Sequence, residues 1–156
     1  MLLYPKGWTS DELTYAATLR LPEGWKYGTA LDAAKASAQT VEFAPVSLTT
    51  LVDSPVIMGA HYRAVPLAAG ETPGHEIDMS ADSEAALEMS TATREAYDNL
   101  VAETGALFGA RHYRKYHFLL SLSDNVAHFG LEHHESSDDR IAERSQIGRA
   151  SCRERV

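Results

Sequence analysis

Three histidines and four carboxylates crowd into the twelve residues His128-Phe129-Gly130-Leu131-Glu132-His133-His134-Glu135-Ser136-Ser137-Asp138-Asp139. Imidazole nitrogens and carboxylate oxygens are zinc donors, and carboxylates also hold ammonium groups through charge-assisted hydrogen bonds. The spacing resists a helical zinc pair. Such a pair needs two histidines four apart with a glutamate after the first, and none of His128, His133 or His134 begins that run. A near match, His75-Glu76-Ile77-Asp78-Met79, carries methionine where the second histidine would stand, and its neighbours read as a strand. No metal ligand and no catalytic residue is therefore assigned in this sequence. On composition alone the cluster reads as a solvated polar loop after a strand.

Other chemistry-bearing groups carry less. Ser136 and Ser137 have acids nearby but no Gly-x-Ser-x-Gly elbow, so a serine hydrolase is not indicated. Arg111-His112-Tyr113-Arg114-Lys115-Tyr116 mixes cations and aromatics as single-strand nucleic-acid sites do. In an acidic chain it reads instead as a solvated turn between a helix and a strand. Trp8 and Trp25, each beside turn residues, are expected to plug the core.

The elements that must position these groups are mostly short. Leu13 to Leu21 partly alternates and reads as a strand, Pro22-Glu23-Gly24-Trp25 as a turn, and Thr40 to Val46 as a second strand ending near Pro45. Ala30 to Ala36 reads as a helical turn or a loop. Leu48 to Pro55 predicts a short helix with a breaker, because the residue before proline is pushed out of the helical region. Tyr62-Arg63-Ala64-Val65-Pro66-Leu67 and His75-Glu76-Ile77-Asp78-Met79 predict strands, separated by the turn-rich 69–74. From Ser90 to Phe108, Tyr97, Leu100, Val101, Thr104, Leu107 and Phe108 recur at three- and four-residue steps, and Gly109 supplies a stop. This amphipathic helix is expected to pack on a sheet. Tyr116-His117-Phe118-Leu119-Leu120-Ser121-Leu122 is a nearly continuous apolar run, as a strand covered on both faces would be.

Composition bounds the function. At 156 residues with a formal net charge of −8, the chain lacks the clustered Lys and Arg on which binding to a phosphate backbone rests, so nucleic acid is not an expected partner. It contains no apolar run near the about 20 residues that span a bilayer, so no membrane span is expected. The tail Ile147 to Val156 reads in frame from DNA that resembles a common short-read sequencing adapter, and is expected not to be native protein. Without its Arg149, Arg153 and Arg155 against Glu154, Lys+Arg falls from 14 to 11, Asp+Glu from 22 to 21, and the net charge to −10. Cys152, the single cysteine, goes with it, leaving no thiol chemistry.

Taken in order, Leu21-Pro22-Glu23-Gly24-Trp25, Leu51-Val52-Asp53-Ser54-Pro55-Val56, Tyr116-His117-Phe118-Leu119-Leu120, Gly130-Leu131-Glu132-His133 and Ser136-Ser137 resemble the glycyl aminopeptidase family, gluzincin metallopeptidases that usually carry a PDZ domain. The resemblance runs from about residue 13 to 140. It implies an α+β chain: the end of an amino-terminal β-sandwich domain over 1–52, then the first half of a thermolysin-like catalytic domain, a mixed sheet with helix, over 53–146, with 147–156 as the adapter-like tail. It also implies that 126–132 is the sheet edge facing the substrate cleft. There Gly130, Leu131, Glu132 and His133 would form the substrate-binding segment, in the place of the Gly-x-Met-Glu-Asn motif of related aminopeptidases. Glu132 would hold the peptide's free amino terminus, Gly130 would let the substrate backbone approach, and His133 would orient Glu132 or reach the scissile region.

Members of that family continue into a His-Glu-x-x-His helix that binds zinc, with the motif glutamate activating the bound water. This sequence lacks that motif and the downstream glutamate ligand. The expectation is therefore a fragment of a zinc-dependent aminopeptidase, with zinc in the intact parent, none in this chain, and no activity alone. A periplasmic or secreted home is in keeping with a cysteine-poor acidic enzyme. The alternative is a stand-alone β-rich binding domain whose Glu and His cluster holds a ligand or a divalent ion.

Overall fold

The computed structural model describes residues 4–68, 70 and 73–145. The adapter-like tail and parts of the turn at 69–74 lie outside them. The elements in chain order are β1 (Thr14–Tyr15), β2 (Thr18–Arg20), β3 (Lys26–Thr29), β4 (Ala33–Ala36), β5 (Thr40–Phe43), β6 (Val46–Ser47), α1 (Leu48–Val52), β7 (Val56–Gly59), β8 (His61–Leu67), β9 (His75–Ala81), a 3-10 turn (Glu84–Leu87), α2 (Thr91–Phe108), β10 (Tyr116–Leu122), β11 (Phe129–Glu132) and β12 (Ser136–Ile141).

The expected α+β class, with the first half of a thermolysin-like catalytic domain after the β-sandwich, is overturned. Among the described residues twelve strands stand against two α-helices, and the architecture is predominantly β, in keeping with a β-sandwich-like amino-terminal domain. The physical reason lies in the pattern. Only one stretch of 18 residues sustains the three- and four-residue spacing that a helix needs to bury a face. Elsewhere short runs broken by Gly, Pro and Asp favour strands and turns.

The main body is a five-stranded sheet in the order β11-β12-β10-β9-β8. β9, β10 and β12 run parallel, while β8 and β11 are antiparallel to their neighbours. α2 covers one face. Its start is capped by Ser90, whose Oγ accepts from the Thr93 N–H at 3.1 Å, and it stops at Gly109, which takes the left-handed φ of 66° that glycine tolerates without a Cβ clash. Val101 from α2 and Val65, Leu67, Ile77, Met79, Leu120 and Leu122 from the sheet form the larger core, joined by Tyr97 and Phe118.

The opposite face meets the smaller elements of the first sixty residues. β3 pairs with β7, and β2, β5 and β4 form a small antiparallel sheet around Leu31, Val41 and Phe43. Ala33 to Ala36, read as a helical turn or a loop, is strand β4. Trp8 and Trp25 do not plug the core: they are 55% and 38% exposed. The polar run after Glu135 is no solvated loop. It is β12, with Ser136, Ser137 and Asp138 buried, because the strand pairs on both sides; the Ser136 hydroxyl has no hydrogen-bond partner among the described residues, while its neighbours pair locally. Ser137 Oγ donates to Asp139 at 2.8 Å, and Arg140 forks onto Asp138 at 3.1 and 2.8 Å.

Candidate functional site

β11 lies within the span expected to form an edge and is the terminal strand of the five-stranded sheet. Among the described residues it pairs with β12 alone: Phe129 opposite Arg140, Gly130 opposite Asp139, Leu131 opposite Asp138 and Glu132 opposite Ser137. All four of its residues are exposed. Alternation along the strand sends Gly130 and Glu132 to the α2 face, with Ser137 and Asp139, and Phe129 and Leu131 to the other. Phe129 lies under the Arg140 guanidinium, 4.5 Å from ring centroid to Cζ. Glu132 takes no hydrogen bond or ion pair from the described residues.

Asp139 makes this edge more acidic than the sequence suggested. Burial pushes its carboxyl above the usual range, the Ser137 hydroxyl works against that, and the charges of Asp138 and Glu132 add to the rise. Gly130 matters here: a Cβ at that position would stand 3.1 Å from Asp139 Oδ1, so glycine keeps the space above that carboxylate open. Tyr116 borders the same surface, its phenol raised by burial in the first place and further by the charges of Asp139 and Glu132. Two carboxylates, one exposed and one half-buried, beside a phenol and a free strand edge are suited to receive a cationic group on an extended chain.

His133 is engaged elsewhere. Its Nδ1 lies 2.9 Å from Asp53 Oδ1, and the His134 N–H donates to Asp53 Oδ2 at 2.9 Å. Burial alone would raise the Asp53 carboxyl, but these two partners hold it below its ordinary value. Asp53 thus ties the residue after α1 to the loop between β11 and β12. A neighbouring tie runs from Arg114 to Asp32 at 2.6 Å and to Glu135 at 2.7 Å, with Lys115 on Asp32 at 2.7 Å. The cation-rich run is therefore a bracket between the first sixty residues and the sheet. His128 points Nε2 at the Ser123 carbonyl, 3.0 Å away. The three histidines of the His128 to Asp139 stretch do not converge on one point, so that stretch supplies no zinc site.

A second constellation was not assigned from sequence. On the sheet face opposite α2, His117 Nδ1 lies 2.6 Å from Asp78 Oδ2, the Tyr62 hydroxyl donates to Asp78 Oδ1, and Glu76 stands beside them. Tyr62 is pushed upward by burial first and by Asp78 second, so it remains a donor. The signal was present as alternation: Glu76 and Asp78 point to the same side of β9, and His117 is a polar interruption in an apolar run. What joined them was the parallel register that sets His117 opposite Glu76.

Residues 1–60 match the model of the Peptidase M61 N-terminal domain. No curated protein matches the chain. Among solved structures, an aminopeptidase N family protein from Idiomarina loihiensis is similar over 88% of this chain, with a TM-score of 0.61 and 20% identity. The chain spans 23% of the length of that protein. The similarity is one of fold. No helix among the described residues is long and apolar enough to cross a membrane.

Proposed function

We propose that this chain is part of a zinc-dependent aminopeptidase, in which β11 lies beside an extended peptide and Glu132 takes its free ammonium group. The observation that carries the reading is the position of Glu132: an exposed, unpartnered carboxylate on the terminal strand of the sheet. An exopeptidase must register its substrate by the amino end. A carboxylate fixed on a strand does this by a charge-assisted hydrogen bond, while strand-edge main-chain groups align the peptide backbone.

The match of residues 1–60 to a peptidase amino-terminal domain and the fold shared with an aminopeptidase N family protein support the same class of chemistry. In this reading Gly130 keeps Asp139 accessible as a second acceptor, and Leu131 faces away from the bound amino end. The sequence has no His-Glu-x-x-His run, so bond cleavage is assigned to the longer protein, where zinc would activate the attacking water. This chain alone hydrolyses no peptide.

The test uses the isotope-labelled chain and two probes, a short peptide amide with a free amino end and its N-acetylated form. The free peptide is expected to move the amide resonances of Phe129 to Glu132, and the acetylated one to leave them in place. Equal shifts with both probes would remove the amino-end assignment.

A further inference from the structure

Glu76 and Asp78 stand two residues apart on β9 and so share one face of the sheet. His117, on the parallel neighbour β10, is in register with Glu76. One ligating atom from each of the three lies within 4.8 Å of the other two, with His117 Nδ1 2.6 Å from Asp78 Oδ2 and 4.0 Å from Glu76 Oε1. Ligands on an ion with bonds of about 2.0–2.2 Å stand roughly 3–4 Å from each other, so small side-chain rotations bring these atoms onto one centre.

The frame around them is fixed. Asp78 is 1% exposed, with one carboxylate oxygen held by the Tyr62 hydroxyl. The β3 backbone at Gly28 comes so close that a Cβ there would stand 2.5 Å from Asp78 Cβ. The Tyr62 bond orients Asp78 from outside the ligand set, as supporting partners of metal ligands do. Charge is left over. Two carboxylates share a single imidazole, which lies closer to Asp78 than to Glu76. Glu76 is one-third exposed, so an ion reaches the group without opening the core.

We propose that Glu76, Asp78 and His117 form a binding site for a divalent transition-metal ion of the zinc class, held by one imidazole nitrogen and two carboxylate oxygens and completed by water. One nitrogen donor with two oxygen donors suits zinc, cobalt or manganese, whereas calcium and magnesium favour oxygen alone. The ion takes the place of the proton that His117 shares with Asp78 and cross-links β9 to β10 where β3 packs on them. The site is independent of Glu132 and of the aminopeptidase reading.

The experiment is calorimetric titration of the chelator-treated, tag-free chain with zinc chloride, with calcium chloride in parallel, repeated in Glu76→Gln and His117→Gln. Cobalt(II) absorption reports a nitrogen and oxygen ligand field on the same samples. The expected result is one equivalent of zinc, a raised melting temperature as for any ligand that binds only the folded state, and affinity at least about tenfold weaker in Glu76→Gln, the effect common for groups that support or ligate a metal. Should His117→Gln not fold, Glu76→Gln still decides, because it leaves both Asp78 bonds in place. Absence of zinc binding up to millimolar concentration, unchanged affinity in Glu76→Gln, or calcium binding as tight as zinc would each overturn the proposal.

Discussion

Asp78 and Glu132 are carboxylates on the same five-stranded sheet, and almost everything about their surroundings differs. Asp78 sits near the middle of the sheet, 1% exposed, with a phenol on one oxygen and an imidazole on the other. Glu132 sits on the terminal strand, exposed, with no side-chain partner among the described residues. A buried charge persists only where hydrogen bonds replace its lost water, so the partners of Asp78 are a condition of its being there. An exposed charge needs none. The difference separates a group whose loss damages the fold from one whose loss changes what the fold can hold.

The largest expected effect breaks the comparison at its buried end. Asp78→Ala leaves the Tyr62 hydroxyl and His117 without their acceptor and is expected to destabilise by about 3 kcal/mol, since each buried donor left unpaired costs roughly 1–3 kcal/mol; urea unfolding measures it. Gly28→Ala presses a methyl group into the clamped Asp78 side chain, 2.5 Å away, and is expected to cost about 1–3 kcal/mol by the same measurement. Gly130→Ala, whose methyl group would meet only the tip of Asp139 at 3.1 Å, is expected to cost less than about 1 kcal/mol. At the exposed end, Glu132→Gln is expected to change stability by no more than about 0.5 kcal/mol.

Acid separates the two regions in another way. Asp32 is held below its ordinary 3.8, first by Lys115 and then by Arg114, and Asp53 is held low by His134 and His133 against the upward pull of burial. A carboxylate depressed in the folded state contributes stability that is present above its unfolded value and is lost as pH falls through the folded one. The bracket between the first sixty residues and the sheet should therefore hold above about pH 4 and loosen below it. Amide exchange in α1 and in the loop between β11 and β12 is expected to quicken first on acidification. Asp53→Asn should flatten that response.

These contrasts also mark how far the sequence carries. α2 was legible because Ser90, the three- and four-residue spacing and Gly109 all state the same thing. β10 was legible as an apolar run. β12 was not, because Ser136 to Arg140 shows no apolar alternation. It is buried through long-range pairing with β10 and β11, and part of its polarity is met by Ser137 on Asp139 and Arg140 on Asp138. The tryptophans misled, since bulk alone does not place a side chain inside when turns such as Pro22 to Trp25 hold it at the surface. The thermolysin-like second half, a mixed sheet with helix, was expected from family resemblance, not from periodicity, and the periodicity of a single long helix was the better guide.

At the candidate site, Gly130, Leu131 and Glu132 were marked by resemblance, whereas Asp139 emerged only once β11 and β12 were in register. His133 was expected to orient Glu132 or reach the scissile region; its Nδ1 lies against Asp53, a partner 80 residues away in sequence. The Asp78 group escaped for the same reason. Its histidine is 39 residues distant, and no local spacing reveals a contact that depends on parallel strands.

In the proposed function Glu132 registers a peptide by its amino end. The most direct measurement compares kcat/KM for a free-amino peptide and its N-acetylated form in the aminopeptidase proposed to contain this segment, before and after Glu132→Gln. A hydrogen bond to a charged group is worth about 1.5–3 kcal/mol. A fall of roughly ten- to a hundredfold is therefore expected for the free peptide, with little change for the acetylated one and collapse of the preference between them. An unchanged preference in Glu132→Gln would contradict it.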